Sequence, residues 1–255
     1  MFTNCVMGWD AAWTSGGTGA WSVIKKDGEG WRVMCCASTP QGEEAMEREL
    51  SRLLEIWQPG LIAVDMPVAD RPVTGFREAD RATTRAFSRF GCPVHSPNPR
   101  MPGEWGWKLI QQLHGSGYRC LTELPSSGPG FAEVYPHSAL LKLLRIPKRF
   151  PYKISRVSRY WPELSRTERR EMLLKNLEQI RCRLGEIFIG GTGIEALPPA
   201  SPVREIKAVE DKLDALICAW CGLQILEGRF EPFGDADAVI WNPRVKELDL
   251  LKTQD

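Results

Sequence analysis

Cys5-Val6-Met7-Gly8-Trp9-Asp10 is a short apolar run that closes on a single carboxylate. It is too short for a helix, and small residues follow it: Ala11-Ala12, then Thr14-Ser15-Gly16-Gly17. The pattern predicts a first strand feeding a tight turn. An acid at the end of a buried strand is poorly solvated. It needs either its own backbone, as a turn cap, or a cation. Which of the two holds for Asp10 depends on where the other acids of the chain fall.

Two more strand-like runs follow, Ala20-Trp21-Ser22-Val23-Ile24-Lys25 and Trp31-Arg32-Val33-Met34-Cys35-Cys36. The Asp27-Gly28 pair between them favours a hairpin, so the chain opens as a meander of three antiparallel strands. Residues 40–57 carry Met46, Leu50, Leu53, Leu54 and Trp57 at helical spacing, with Glu43, Glu44 and Glu47 loading the N-terminal turns. Pro59-Gly60 ends that helix. Leu61-Ile62-Ala63-Val64-Asp65 comes next, a continuous apolar run that again closes on an acid. Continuous apolarity predicts a strand buried on both faces of a parallel sheet, reached by the helical crossover.

Residues 75–89 read as a helix on which Arg77, Arg81 and Arg85, spaced by four, share one face. That stripe is either a solvated, ion-paired surface or a phosphate contact. Four prolines in 91–103 make a long loop of the kind that covers a site. Residues 104–115 form a short helix, Phe131-Ala132-Glu133-Val134-Tyr135 a strand, and 138–144 a helix. Residues 147–162 are basic and aromatic, with Arg149, Tyr152, Lys153, Arg156 and Trp161 among them. Such a segment suits single-stranded nucleic acid, or else packs its rings on the body of the protein. Ser165 and Glu168 make a capping box for a helix that runs to about residue 184. After an irregular stretch, 206–227 form a helix with Ile206, Leu213, Leu216, Ile217 and Trp220 on one face. Asp211 and Asp214 are three apart and project to one side, with Lys207 one turn earlier. Asp214 falls at the border of the apolar stripe, deeper than the helix dipole explains.

The composition bounds the function. At 255 residues, 43% hydrophobic and 25% charged, the chain is an ordinary globular protein. A net charge of +1 gives no global basic field, so any nucleic-acid role needs a local patch. No apolar run reaches the roughly 18 residues that span a bilayer. Met1-Phe2-Thr3-Asn4 lacks the features of a signal peptide, so a cytoplasmic location with no membrane partner is expected. Cys218 and Cys221 have zinc-knuckle spacing without a second pair. The three histidines, His95, His114 and His137, show no zinc-hydrolase spacing, and no P-loop or GxSxG motif occurs.

The candidate site is therefore the acids: Asp10, Asp65, Glu133, Asp211 and Asp214. Converging carboxylates repel unless a cation neutralises them, and Mg²⁺ or Mn²⁺ is the hard partner that fits. Such ions serve phosphodiester hydrolysis. Gly8-Trp9-Asp10, Val64-Asp65-Met66-Pro67, Arg77-Glu78-Ala79-Asp80-Arg81, Glu133-Val134-Tyr135-Pro136 and Asp211-Lys212-Leu213-Asp214-Ala215-Leu216 occur in this order. Together they resemble domain-of-unknown-function family 429, a group of predicted ribonuclease-H-like nucleases. The wider superfamily includes the Holliday-junction resolvases.

The resemblance implies an α/β fold: a ribonuclease-H-like mixed five-stranded sheet, three antiparallel strands then parallel ones. Helices lie on both faces, with helical insertions. Residues 1–255 form one domain with a helical, basic insertion at about 147–185. It implies a metal-dependent nuclease in which Asp10, Asp65 and Asp214 hold the metal, with Asp211 beside them. Glu133 belongs to the family's own motif. Asp65 is shorter than the Glu common at that position in resolvases, and the 147–162 segment has no counterpart there. The expected partner is single-stranded or branched nucleic acid, met by Arg77, Arg81, Arg149, Lys153, Arg156 and Lys207. A sugar-kinase-like phosphotransferase using Thr14-Ser15-Gly16-Gly17-Thr18-Gly19 as a phosphate loop, and a non-catalytic binding module, are the alternatives.

Overall fold

Strand β1 (Cys5–Asp10) lies inside a mixed sheet in the computed structural model. The structure describes residues 4–12, 17–96, 98, 103–124 and 128–246. Residues 14–16 of the candidate phosphate loop and much of the 97–102 stretch lie outside them. On one side of β1, β2 (Ala20–Asp27) and then β3 (Gly30–Ser38) run antiparallel. On the other side β4 (Leu61–Val64), β6 (Gly130–Val134) and β8 (Val239–Pro243) run parallel to it. Antiparallel β7 (Phe230–Gly234) closes that edge, and β5 (Arg119–Cys120) pairs with the start of β6.

The sheet thus has eight strands rather than the expected five. The additional strands β5, β7 and β8 are short, and β7 and β8 carry Pro232 and Pro243. Proline removes a ladder donor, so such runs give little strand signal in sequence.

Alternation along the strands sorts the core into two layers. Val6, Leu61, Ala63, Ala132 and Val134 face α4 (Pro136–Leu144), α6 (Arg166–Gly185) and α7 (Val203–Leu226). Met7, Trp9, Ile62, Val64 and Phe131 face α1 (Glu43–Trp57) and α3 (Glu104–Gly115). Each Val, Leu, Ile, Met or Phe side chain fully buried in these layers contributes about 1.5–3 kcal/mol. Helix α2 (Glu78–Phe87) packs with Ala238 and Ile240 in a third cluster.

The contact between β1 and α7 is unusually close. A Cβ on Gly8 would lie 2.0 Å from the Ala215 carbonyl oxygen and 2.3 Å from the Ala219 nitrogen. Only glycine permits that approach. Ser22 Oγ donates to the same Ala215 carbonyl at 2.8 Å, which holds β2 to the helix as well.

Candidate metal centre and the adjoining cleft

The pleat decides which acids meet. Trp9 pairs with Val64, and Val64 with Glu133, so these three share a face of the sheet. Asp10 and Asp65, each one residue further on, share the opposite face with Gly8, Ala63 and Val134, under α7. The ladder continues to Asp65, whose N–H donates to the Trp9 carbonyl at 2.9 Å. One turn N-terminal to the Gly8 contact, α7 presents Asp211 and Asp214. Carboxylate oxygens of Asp10, Asp211 and Asp214 all lie within 4.8 Å of one another. Asp211 and Asp214 are almost wholly buried. This close set contains Asp211 where the sequence expectation placed Asp65. Asp65 stands beside it, near enough for the Asp214 charge to act on it.

Two lysines enter the acid cluster. Lys153 Nζ is ion-paired with Asp214 and lies 3.6 Å from Glu210. Lys207 Nζ is ion-paired with Asp211 and lies 3.0 Å from Glu210. Tyr152 Oη donates to Asp214 Oδ1 at 2.6 Å, and the Ile154 N–H donates to Glu210 Oε2 at 2.7 Å. Phe150 and Tyr152 are buried in the α6–α7 core, and Asn176 donates to the Pro151 carbonyl at 2.7 Å. The rings of the 147–162 segment therefore pack on the body, while Arg149, Lys153 and Arg156 turn to a cleft.

The electrostatics follow from burial and from excess acid. Burial, then Asp214, Asp211 and Asp65, raises the Asp10 pKa well above the carboxylate range, against the pull of Lys153. Asp65 is pushed up to about 7, by burial first and then by Asp214 and Glu133, again against Lys153. For Lys153, burial acts to lower the pKa, but Asp214, Tyr152, Glu210 and Asp10 outweigh it and hold it well above the usual lysine value. Lys153 is thus a fixed cation among carboxylates that outnumber it.

Glu133 belongs to a separate group on the opposite face. Arg77 Nη1 and Nη2 donate to its two oxygens at 2.6 and 2.8 Å, and the Val68 N–H donates to it at 2.9 Å. Arg77 Nη2 also donates to Asp80 Oδ1 at 2.7 Å. Arg77 is therefore not part of a basic stripe. It is the N-cap of α2, and its side chain turns back into the protein. Arg81 and Arg85 remain on the surface, paired with Glu78. The three arginines do not share a face because the helix begins only at Glu78.

The family described as "Protein of unknown function (DUF429)" matches residues 8–238. The chain belongs to the DUF429 family. In this DUF429 member the match runs from the glycine of β1 to the residue before β8, and so takes in every acid of both groups. A comparison with curated proteins gives no match. A cleft of about 630 Å³ lies beside the acid cluster, with Asp65, Lys153, Lys207, Arg149, Arg156 and His137 among its lining residues. Tyr152, Glu210 and His137 have no spacing motif in the sequence. Tyr152 and His137 are flagged only by the basic aromatic segment and by the Pro136 that starts α4.

Proposed function

We propose that the chain is a divalent-metal-dependent nuclease built on a ribonuclease-H-like sheet. The observation that supports this most directly is the triplet of half-buried Asp10 with buried Asp211 and Asp214, whose carboxylate oxygens lie within 4.8 Å. Their charge exceeds what Lys153 and Lys207 neutralise, and Asp10 is forced toward its protonated form. Three convergent oxygen donors fit Mg²⁺ or Mn²⁺ better than a soft metal. Asp10, Asp211 and Asp214 would hold the ion, which when bound supplies Lewis acidity toward a phosphoryl oxygen.

The chain's own residues do the rest. Lys153, permanently protonated and on the cleft wall, offers charge to a phosphate oxygen. Asp65 lines the cleft outside the close triplet and is placed to take the proton of the attacking water. Tyr152 Oη and Lys153 fix the rotamer of Asp214.

The test uses single-stranded and branched oligonucleotides with Mg²⁺, Mn²⁺ or a chelator. Cleavage should require the metal and fall by at least about 100-fold in Asp10→Asn. Mn²⁺ at 100 times its Kd should stabilise the parent by about 2.7 kcal/mol and leave Asp10→Asn unmoved. Asp10→Asn should also fold and, without metal, melt no lower than the parent, because it removes like-charge repulsion. Cleavage that survives chelation and the Asn substitution would sink the reading.

A further inference from the structure

Away from the acids the cleft changes sign. Arg149 and Arg156 line it with His95 and His137. Arg149 Nη2 meets His137 Nε2 at 2.5 Å, and Arg156 Nη2 meets His95 Nε2 at 3.5 Å. Among the described residues neither guanidinium pairs with a carboxylate. An arginine only donates, so His137 accepts through Nε2 and carries its proton on Nδ1. Burial, then Arg149, keeps this ring neutral, and burial with Arg156 acts the same way on His95. An imidazole partner therefore orients each guanidinium without cancelling its charge. His137 Nδ1 and Arg149 Nε, both shielded from bulk water, have no acceptor among the described residues. Buried donors left in that state are costly, and they mark this end of the cleft as one whose polar groups are not fully matched within the described residues.

The frame around these groups is braced. The Arg149 N–H donates to the Phe90 carbonyl at 2.7 Å, Cys92 Sγ to the His137 carbonyl at 3.4 Å, and Tyr135 Oη to the Pro93 carbonyl at 2.8 Å. Tyr135 is the N-cap of α4 and His137 its second residue, so the positive end of that helix also faces the cleft. Two uncompensated guanidiniums match a phosphate monoester, which carries roughly −1.5 to −2 charge at neutral pH. An internal phosphodiester carries a single charge. The cleft volume falls in the range of small-molecule sites, roughly 300–1,000 Å³, and suits a nucleotide or a strand end rather than a duplex.

We propose that the Arg149–His137 and Arg156–His95 pairs form a subsite for a terminal phosphate monoester, carried on a nucleotide or on a single-stranded nucleic-acid end. That the acid cluster then acts on the adjoining linkage rests on the nuclease reading, whereas the phosphate subsite stands without it.

The test is binding to the full chain under chelation, where no cleavage occurs. The ligands are a single-stranded decamer phosphorylated at the 5′ end, at the 3′ end or at neither, and adenosine monophosphate against adenosine. The phosphorylated member should bind at least about tenfold tighter. Arg149→Gln and Arg156→Gln should each shrink that preference below about threefold. The hydroxyl-ended decamer should lose no more than about twofold. A preference within the nucleotide pair alone assigns a free nucleotide, and one among the decamers alone assigns a strand end. Equal affinities throughout for the unsubstituted protein would overturn the subsite, as would a preference that survives both variants. A phosphate preference without cleavage by the metal-loaded protein removes the nuclease reading and leaves the subsite. Cleavage without the preference does the reverse.

Discussion

Two groups of buried charge stand at the ends of the parallel strands, one on each face of the sheet. In one, the Arg77 guanidinium is shared between Glu133 and Asp80, and the Val68 N–H completes the Glu133 shell. In the other, Asp10, Asp65, Glu210, Asp211 and Asp214 surround, among the described residues, Lys153 and Lys207 alone. The first group is closed, since all four carboxylate oxygens of Glu133 and Asp80 accept hydrogen bonds inside the chain, although one guanidinium serves both acids. The second is open, since among the described residues its two lysines pair with Glu210, Asp211 and Asp214 and leave Asp10 and Asp65 without an ion pair. Both come from acids near strand ends in the sequence. The difference teaches that the satisfaction of each carboxylate by partners within the chain, rather than the presence of an acid, separates a structural knot from a candidate site.

The largest effect should come from opening the closed group. Arg77→Met leaves Glu133 and Asp80 buried without their cation, which costs about 3–5 kcal/mol. Chemical denaturation should show that loss, with a fall in Tm on the order of 10 °C. A cost no greater than that of a surface ion pair would erase the distinction.

A smaller effect, of opposite sign, is expected in the open group. Burial and the neighbouring acids raise the Asp65 pKa to about 7 in the folded state, against roughly 3.9 for an unperturbed aspartate. Its protonated form is the one the fold favours. That contribution is fully present below about pH 4 and is lost as the pH rises through about 7. Asp65→Asn, which stays neutral, should therefore match the parent near pH 4 and melt several degrees higher at pH 8 without metal. Thermal scans across that range check it, and a variant less stable at pH 8 would show that Asp65 is held by contacts rather than strained by charge.

The smallest effect should come from Arg81 and Arg85. Their pairs with Glu78 are exposed, so Arg81→Gln and Arg85→Gln should each change stability by no more than about 0.5 kcal/mol. Neither should alter binding of the phosphorylated decamer. A clear loss there would restore a substrate role to that helix.

Much of this was readable from the chain. The apolar runs ending in Asp10 and Asp65, and the Asp211–Asp214 pair on a helix with an apolar face, mark the ends of elements that do meet. What the runs lack is register. Glu133 resembles the other two strand acids in sequence, yet it sits one step out of phase in the pleat and so faces Arg77 instead of α7. Arg77 reads as one turn of a stripe because a spacing of four is visible, whereas the start of the helix at Glu78 is set by Asp80 bonding back to it. Strands β7 and β8 are opaque because their prolines and brevity erase the period-two signal, and tertiary pairing alone makes them strands. Tyr152 and Lys153 reach Asp214 across 62 and 61 positions of sequence, a distance that no local pattern spans.

At Gly8 the strand backbone rests on the backbone of α7 with no side chain between them. Asp10 lies two residues along that strand, and Asp214 immediately precedes the Ala215 whose carbonyl makes the contact. The gap across which the acids face one another is therefore gauged by main chain against main chain, much as a shim sets a bearing. Oxygen–metal distances for Mg²⁺ and Ca²⁺ differ by only a few tenths of an ångström, from about 2.1 to about 2.4 Å. A single methyl group inserted at position 8 is a wedge larger than that tolerance. On the proposed metal reading, the size of cation the centre would accept is thus governed by a residue that has no side chain and would never touch the ion.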